Sequence, residues 1–381
     1  MKPNQYLNKL VAHYAKLQGT LFKIIIKYLK SSKITNVDQT NALEWQLERL
    51  AQQKKLTSET IAVSLQSQHI AEKALNEMFK KLSDTEVKKT VNKIVANTKK
   101  KSAKKPPDVD IYTHEAIRKT MDSLNKNVYS SLLSRNVYQN GTAHVYRNII
   151  QKATTDVITG KSSFETALAR GTMDWVDHGI PTALTDRAGR DWSIEAYSRM
   201  VAETSFDKAT NDVRMETMKD NDTTLAYMDW HIGARPDCAY IQGHVVNLVP
   251  EDDPAFNDNY DTIYNWEYGE PQGTQGINCR HSLTPFDPDV NELPDDADEA
   301  PDPKDAIKNA GIQAQQRSME RKIRQTKKLI NASQQLDDKD QVSHYKSVLS
   351  NQQANIRALV KDNKFLSRDY SREQVYTGGD H

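Results

Sequence analysis

One stretch, from Tyr227 to Phe286, departs from the helical spacing that runs through most of this chain, and the fold has to be organised around it. Ala226, Met228, Trp230 and Ile232 alternate with Tyr227, Asp229 and His231, which is the period of a half-buried strand. Gly233 and Pro236 end that run. The chain passes through Asp237-Cys238-Ala239-Tyr240-Ile241-Gln242-Gly243 into a second strand-like run, His244 to Val249. A long acidic loop then returns at Gly276-Ile277-Asn278-Cys279-Arg280-His281-Ser282-Leu283-Thr284-Pro285. Short strands closed by one return describe a small β-containing unit.

Around it the periodicity is helical. Residues 4–30 place Tyr6, Leu10, Tyr14, Leu17, Leu21 and Ile25 at helical spacing. From Thr57 a longer stripe runs through Ile61, Leu65, Ile70, Ala74, Met78 and Leu82, and Ser83-Asp84-Thr85-Glu86 reads as a capping box that restarts the helix. Residues 108–160 carry a further stripe with an interruption expected at Asn140-Gly141, and Ser162-Ser163-Phe164-Glu165 reads as a second capping box. A helix over about 192–218 leads into the first strand. Beyond Asp302-Pro303, a cap followed by a first-turn proline, two apolar stripes separated by Leu336-Asp337-Asp338-Lys339-Asp340 read as an αα-hairpin.

A chain of 381 residues suggests two or three domains, and a hydrophobic share of 37% with a mean hydropathy of −0.76 confines the apolar material to stripes and one compact core. No secretory signal or membrane-length apolar run is evident, so synthesis in a cytoplasm is expected. Two cysteines exclude a disulfide framework.

The net charge of +1 hides a segregation. Lys plus Arg outnumber Asp plus Glu by 21 to 8 over residues 1–106 and by 14 to 8 over 306–381, whereas residues 251–305 hold 2 against 16. Such blocks are read as solvated faces, with contact to nucleic acid or to an oppositely charged partner ring as the sharper alternative. Lys99, Lys100, Lys101, Lys104 and Lys105, before Pro106-Pro107, read as a linker; phosphate contact, blind to base sequence, is the alternative. The basic N-terminal helix, with Phe22, Ile24, Ile25 and Ile26, is expected to pack on protein; a membrane surface is the alternative.

His231, Cys238, His244, Cys279 and His281 raise the question of chemistry. Thiolates and imidazoles are zinc ligands, and strands brought together could gather several of them. The spacing fits the usual zinc knuckles poorly, so no metal is expected; His231, Cys238, Cys279 and His281 stay as zinc candidates beside a Cys238–Cys279 disulfide and plain packing. Arg235 and Arg280 are expected to pair with acids such as Asp229 and Asp237. No phosphate loop, HExxH, Gly-x-Ser-x-Gly or deaminase pattern is present, and Glu267-Tyr268-Gly269-Glu270 has no partner elements to make a transferase site. No catalytic residue and no cofactor are expected.

The ordered set His231-Ile232-Gly233-Ala234-Arg235-Pro236-Asp237-Cys238-Ala239, Gln242-Gly243 and Gly276-Ile277-Asn278-Cys279-Arg280-His281 resembles phage minor capsid proteins of the MuF-like head morphogenesis group, in their minor capsid protein 2 branch. In that group the preceding helix carries an Arg followed by Thr-Glu; here Arg199 and Thr204 match, but Ser205 stands where the acid belongs and Glu203 lies before Thr204. The resemblance singles out His231, Gly233, Arg235, Cys238, Gln242, Gly243, Asn278, Cys279, Arg280 and His281 as motif residues. It implies a minor structural protein of a tailed phage head that binds the portal protein or inner capsid proteins, with double-stranded DNA, bound without sequence preference, as a further candidate partner and no membrane partner. The expected location is the virion, and the host cytoplasm during assembly. A metal-dependent or toxin-like effector packaged in the head and a transient assembly chaperone are the alternatives.

The expected fold is α+β and predominantly helical, with a small mixed region near residues 222–286 and a C-terminal helical hairpin. Its serial layout is a basic helical region over 1–106, a helical connector over 107–161, a MuF-like mixed α/β domain over 162–290, an acidic linker over 291–305, the hairpin over 306–366 and a mobile tail over 367–381.

Overall fold

The computed structural model describes residues 3–105, 109–185, 191–276 and 279–375. Among them the order is α1 (Pro3–Lys30), α2 (Ala42–Ala51), α3 (Gln53–Asn97) and α4 (Val109–Leu124), then a π-helical turn (Asn125–Tyr129) and α5 (Ser130–Leu132). There follow α6 (Gly141–Ile158), α7 (Phe164–His178), β1 (Pro181–Thr185), β2 (Asp191–Ser193), α8 (Ile194–Lys219) and β3 (Leu225–Met228). The chain continues through α9 (Pro236–Ala239), β4 (Val245–Asn247), β5 (Leu283–Pro285), α10 (Pro303–Gln335) and α11 (Lys339–Asp362). The fold is α+β and predominantly helical, with small antiparallel sheets.

Cap chemistry explains most boundaries. Asn140 and Ser163 begin α6 and α7 by accepting the Ala143 and Thr166 amides. The second capping box therefore starts one residue later than its sequence suggests, with Thr166 in the third position. Asp302 caps α10, and Asp338 caps α11 after Asp337 turns the chain at φ +60°. The break expected at Ser83 does not occur, and α3 runs through it without interruption. Ser83 is buried, Thr85 bonds back to the Lys81 carbonyl, and Glu86 pairs with Arg214 at 2.6 Å instead of reaching back to a cap amide. Tertiary pairing has overridden a local stop signal.

The chain forms two compact units, each made of non-contiguous segments. One gathers chiefly residues 75–120 and 202–316. Its three-stranded sheet has the order β4-β3-β5, antiparallel throughout, with Ala226 opposite Val246 on one side and Pro285 on the other. Ala226 and Met228 face a core that includes Ile94, Met218, Cys238, Ile263, Cys279 and Leu283. Leu225 and Tyr227 face a smaller cluster with Val245, Phe286 and Ala297. The strand expected to be half-buried is thus buried on both faces, because the acidic segment folds back over the second face. It ends at Met228, where the ladder to both neighbours stops, and the Asp229 carboxylate takes the Ser282 amide at 2.7 Å.

The other unit gathers residues 8–74, 121–201 and those from 317 on. Within it α1 buries Leu10, Tyr14, Leu17, Leu21, Phe22 and Ile25, so its apolar face is covered by protein. No described helix is long and apolar enough to cross a membrane. Trp45 of α2 meets Phe164 of α7 edge-on at 4.8 Å, and the Tyr146 hydroxyl of α6 donates to the Arg49 carbonyl at 3.0 Å. Residues 367–375, expected within a mobile tail, meet α10 where Lys327 donates to the Glu373 carbonyl at 2.8 Å, and within the segment Arg368 grips the buried Glu373 carboxylate with two bonds of 2.6 and 2.7 Å.

Candidate functional site

Three chain segments meet beside the three-stranded sheet. Arg235-Pro236 starts α9 with an extended N-cap and a first-turn proline, which turns Cys238 inward. The loop brings Thr274 and Gln275 against it. Cys279 and His281 precede β5 and lie on one side of the chain, as residues two apart do in extended backbone. The Cys238 and Cys279 sulfurs stand 3.8 Å apart, and Cys279 Sγ lies 3.5 Å from His281 Nδ1. All three donor atoms fall within 4.8 Å of one another, and all three residues are buried. Both cysteines are free thiols. The hydrogen bond with Cys238 draws the Cys279 thiol down against its burial, whereas the same sulfur contact and burial push that of Cys238 up.

The other edge of His281 is fixed by Gln242. His281 Nε2 is 2.9 Å from Gln242 Oε1, and that oxygen also accepts the His231 backbone N–H at 3.0 Å. The backbone donor identifies the amide oxygen, so Nε2 carries a ring proton and Nδ1 faces Cys279. Gln275 Nε2 donates to the His281 carbonyl at 3.0 Å. The His231 ring lies 4.6 Å from that of His281 between centroids, and its Nε2 is buried with no hydrogen-bond partner. His244 turns aside to the Gln242 carbonyl.

The glycines make room. Gly243 takes φ +77°, and a Cβ there would sit 2.8 Å from that of Ala300. A Cβ on Gly233 would meet the Ala310 amide nitrogen at 2.9 Å. Arg235 donates to the Pro271 carbonyl at 3.1 Å and so reaches the acidic loop through its backbone. Arg280 faces Asp207 of α8; burial raises that carboxyl to about 6, against the pull of Arg280, with Glu203 adding to the rise. Asn278 lies outside the described residues.

Of the five lysines, Lys99 pairs with Asp289 at 2.5 Å, Lys100 lies 3.7 Å from Asp222, and Lys105 lies 3.9 Å from Asp110. The Lys104 backbone exchanges two hydrogen bonds with the Asn221 side chain, at 2.8 and 3.0 Å. The segment after α3 is therefore held by its unit at several points. Pro106 and Pro107 lie outside the described residues.

Sequence reasoning missed Asn247, Thr274 and Gln275. Asn247 is fully buried, donates to the Asn257 and Tyr260 carbonyls and accepts the Asn257 amide, which fastens the acidic loop to β4. An asparagine inside an otherwise apolar run, Val245-Val246-Asn247-Leu248-Val249, was the available signal. Thr274 and Gln275 carried none, since a loop imposes no period.

The family model described as phage minor capsid protein 2 matches residues 2–361. A structural protein of Lactococcus phage LL-H is 38% identical over 370 residues, covering 95% of this chain and 98% of the relative. A structural protein of Lactococcus phage mv4 is 37% identical over 123 residues, which is 32% of this chain and 98% of that relative. No solved structure matches the chain.

Proposed function

The chain belongs to the phage minor capsid protein 2 family and is a phage structural protein, and from that premise we propose that it binds the portal protein or the inner capsid proteins during head assembly. The observation that carries this reading is the match along nearly the whole chain, because it includes the helical segments as well as the motif. The protein enters the shell in few copies in the host cytoplasm and works by binding, with no turnover. The charge segregation along the sequence supports such a role, since blocks of one sign favour oriented docking between charged partners.

Quantitative mass spectrometry of purified mature particles and of empty procapsids tests it. A few copies per portal in both is the expected result. Absence from both would overturn the reading, and presence in procapsids alone would replace it with a departing assembly factor.

Contact with packaged DNA rests on Lys99, Lys100, Lys101, Lys104 and Lys105. Five phosphate contacts would give a salt slope of about 4.5, but three of these lysines have acidic neighbours within 4.0 Å, and we expect about 2. Replacing all five with glutamine should remove that slope from duplex binding measured across salt concentrations. An unchanged slope would withdraw DNA from the account.

A further inference from the structure

We propose that Cys238 Sγ, Cys279 Sγ and His281 Nδ1 form a binding site for one zinc-class divalent cation. Two of the three edges have the lengths of a tetrahedral ion's ligand set. With Zn–S near about 2.3 Å and Zn–N near about 2.05 Å, tetrahedral corners stand about 3.8 Å apart for two sulfurs and about 3.6 Å apart for sulfur and nitrogen. The corresponding separations here are 3.8 and 3.5 Å. The remaining edge, from Cys238 to His281, is at most 4.8 Å and has to close by no more than about 1.2 Å.

The surroundings match a metal ligand set. The lone pair of His281 is directed at the sulfurs because Gln242 Oε1 takes the Nε2 proton, which is how an outer-shell carbonyl fixes a ligating imidazole. Thr274 Oγ1 lies 3.9 Å from Cys238 Sγ, where a hydroxyl steadies a thiolate. Met228, Ile241 and Leu283 belong to the same core and keep water from the sulfurs. Two thiolates and an imidazole select a borderline-soft ion over magnesium or calcium. The three ligands leave one corner of the tetrahedron to a fourth donor, and the His231 ring lies alongside His281. The three ligands come from α9 and from the segment before β5, so the ion clasps the two ends of the acidic loop. None of this depends on the portal or on DNA.

The test uses the full chain, without a polyhistidine tag, purified from reducing, zinc-supplemented culture. Elemental analysis after dialysis should find about one equivalent of zinc per chain. Cobalt(II) added to the stripped wild-type chain should give thiolate-to-metal charge-transfer absorption, and zinc should slow the reaction of both thiols with a disulfide reagent. Cys279→Ser and His281→Gln should lose the bound zinc while keeping the wild-type circular dichroism. Should either variant fail to fold, the wild-type measurements still decide. Background metal in the wild type with no charge-transfer band, a Cys238–Cys279 disulfide recovered from freshly lysed cells, or full zinc in Cys279→Ser would each overturn the proposal.

Discussion

Gln242→Leu is the substitution that most directly tests how the Cys/His cluster is organised. Leucine keeps nearly the volume of glutamine in a site that is 2% exposed, and it removes one acceptor that serves two donors, His281 Nε2–H and the His231 backbone N–H. A buried donor left without a partner costs about 1–3 kcal/mol, with His231, only part-buried, at the low end. The change also removes Gln242 Nε2, which is buried without a partner and whose loss offsets part of that cost. The balance is a destabilisation of about 2 kcal/mol. Hydrogen exchange read by mass spectrometry on peptides covering β3, β4 and β5 isolates this unit from the other. Exchange limited by opening of the sheet should quicken about 30-fold. An acceleration of less than about threefold would refute both the double-acceptor role and the tautomer of His281 drawn from it.

Three further outcomes are expected. Arg49 is buried and donates to the Tyr28 carbonyl in the last turn of α1, to Ser31 and to Glu48, at 2.6–2.8 Å, so Arg49→Ala should cost about 3 kcal/mol and lower that unit's calorimetric transition by about 6–12 °C. Gly233→Ala forces a Cβ to 2.9 Å from the Ala310 amide nitrogen, and because that atom is backbone the cost should be about 1–3 kcal/mol by urea unfolding. Asp207, raised by burial from 3.8 to about 6, holds its proton more tightly when folded, so its unit should lose stability as pH rises through that window and change little above it. Asp207→Asn should flatten this slope and add about 1–2 kcal/mol at neutral pH, discounted for its half-exposed setting; an unaltered pH profile of urea midpoints would refute it.

What the sequence disclosed followed the reach of its signals. Asp302 declared its helix start because an N-cap acts within three residues, whereas Asn140 and Asp338, read as an interruption and as part of a turn, also prove to be caps. Ser83 carried the same local signal and was overruled by Arg214, 128 positions away along the chain, which took the Glu86 carboxylate that a capping box requires. The two compact units were not legible either. Periodicity reports elements one after another, whereas these units are assembled from pieces separated by 46 to 115 residues of chain. Within the motif, residue types were readable and distances were not. Cys279-Arg280-His281 is too tight for a knuckle on a helix or turn, yet suits one side of an extended segment, and Cys238 reaches it only because Pro236 sets the start of α9.

The geometry also explains why the motif can be recognised across its two separated parts. His231, Arg235, Cys238 and Gln242 stand on one arm of the acidic loop, and Cys279 and His281 on the other, with Pro271, Thr274 and Gln275 between them. Three bonds among them cross or close that loop: Cys238 to Cys279, Gln242 to His281, and Arg235 to the Pro271 carbonyl. A loop of this length has entropy to lose, and contacts at its base recover the closure cost once for the whole segment. A substitution on either arm leaves a buried partner on the other arm unsatisfied, so the two parts constrain each other although neither is periodic. The contacts of the cluster therefore fix where the acidic loop leaves the fold and where it returns.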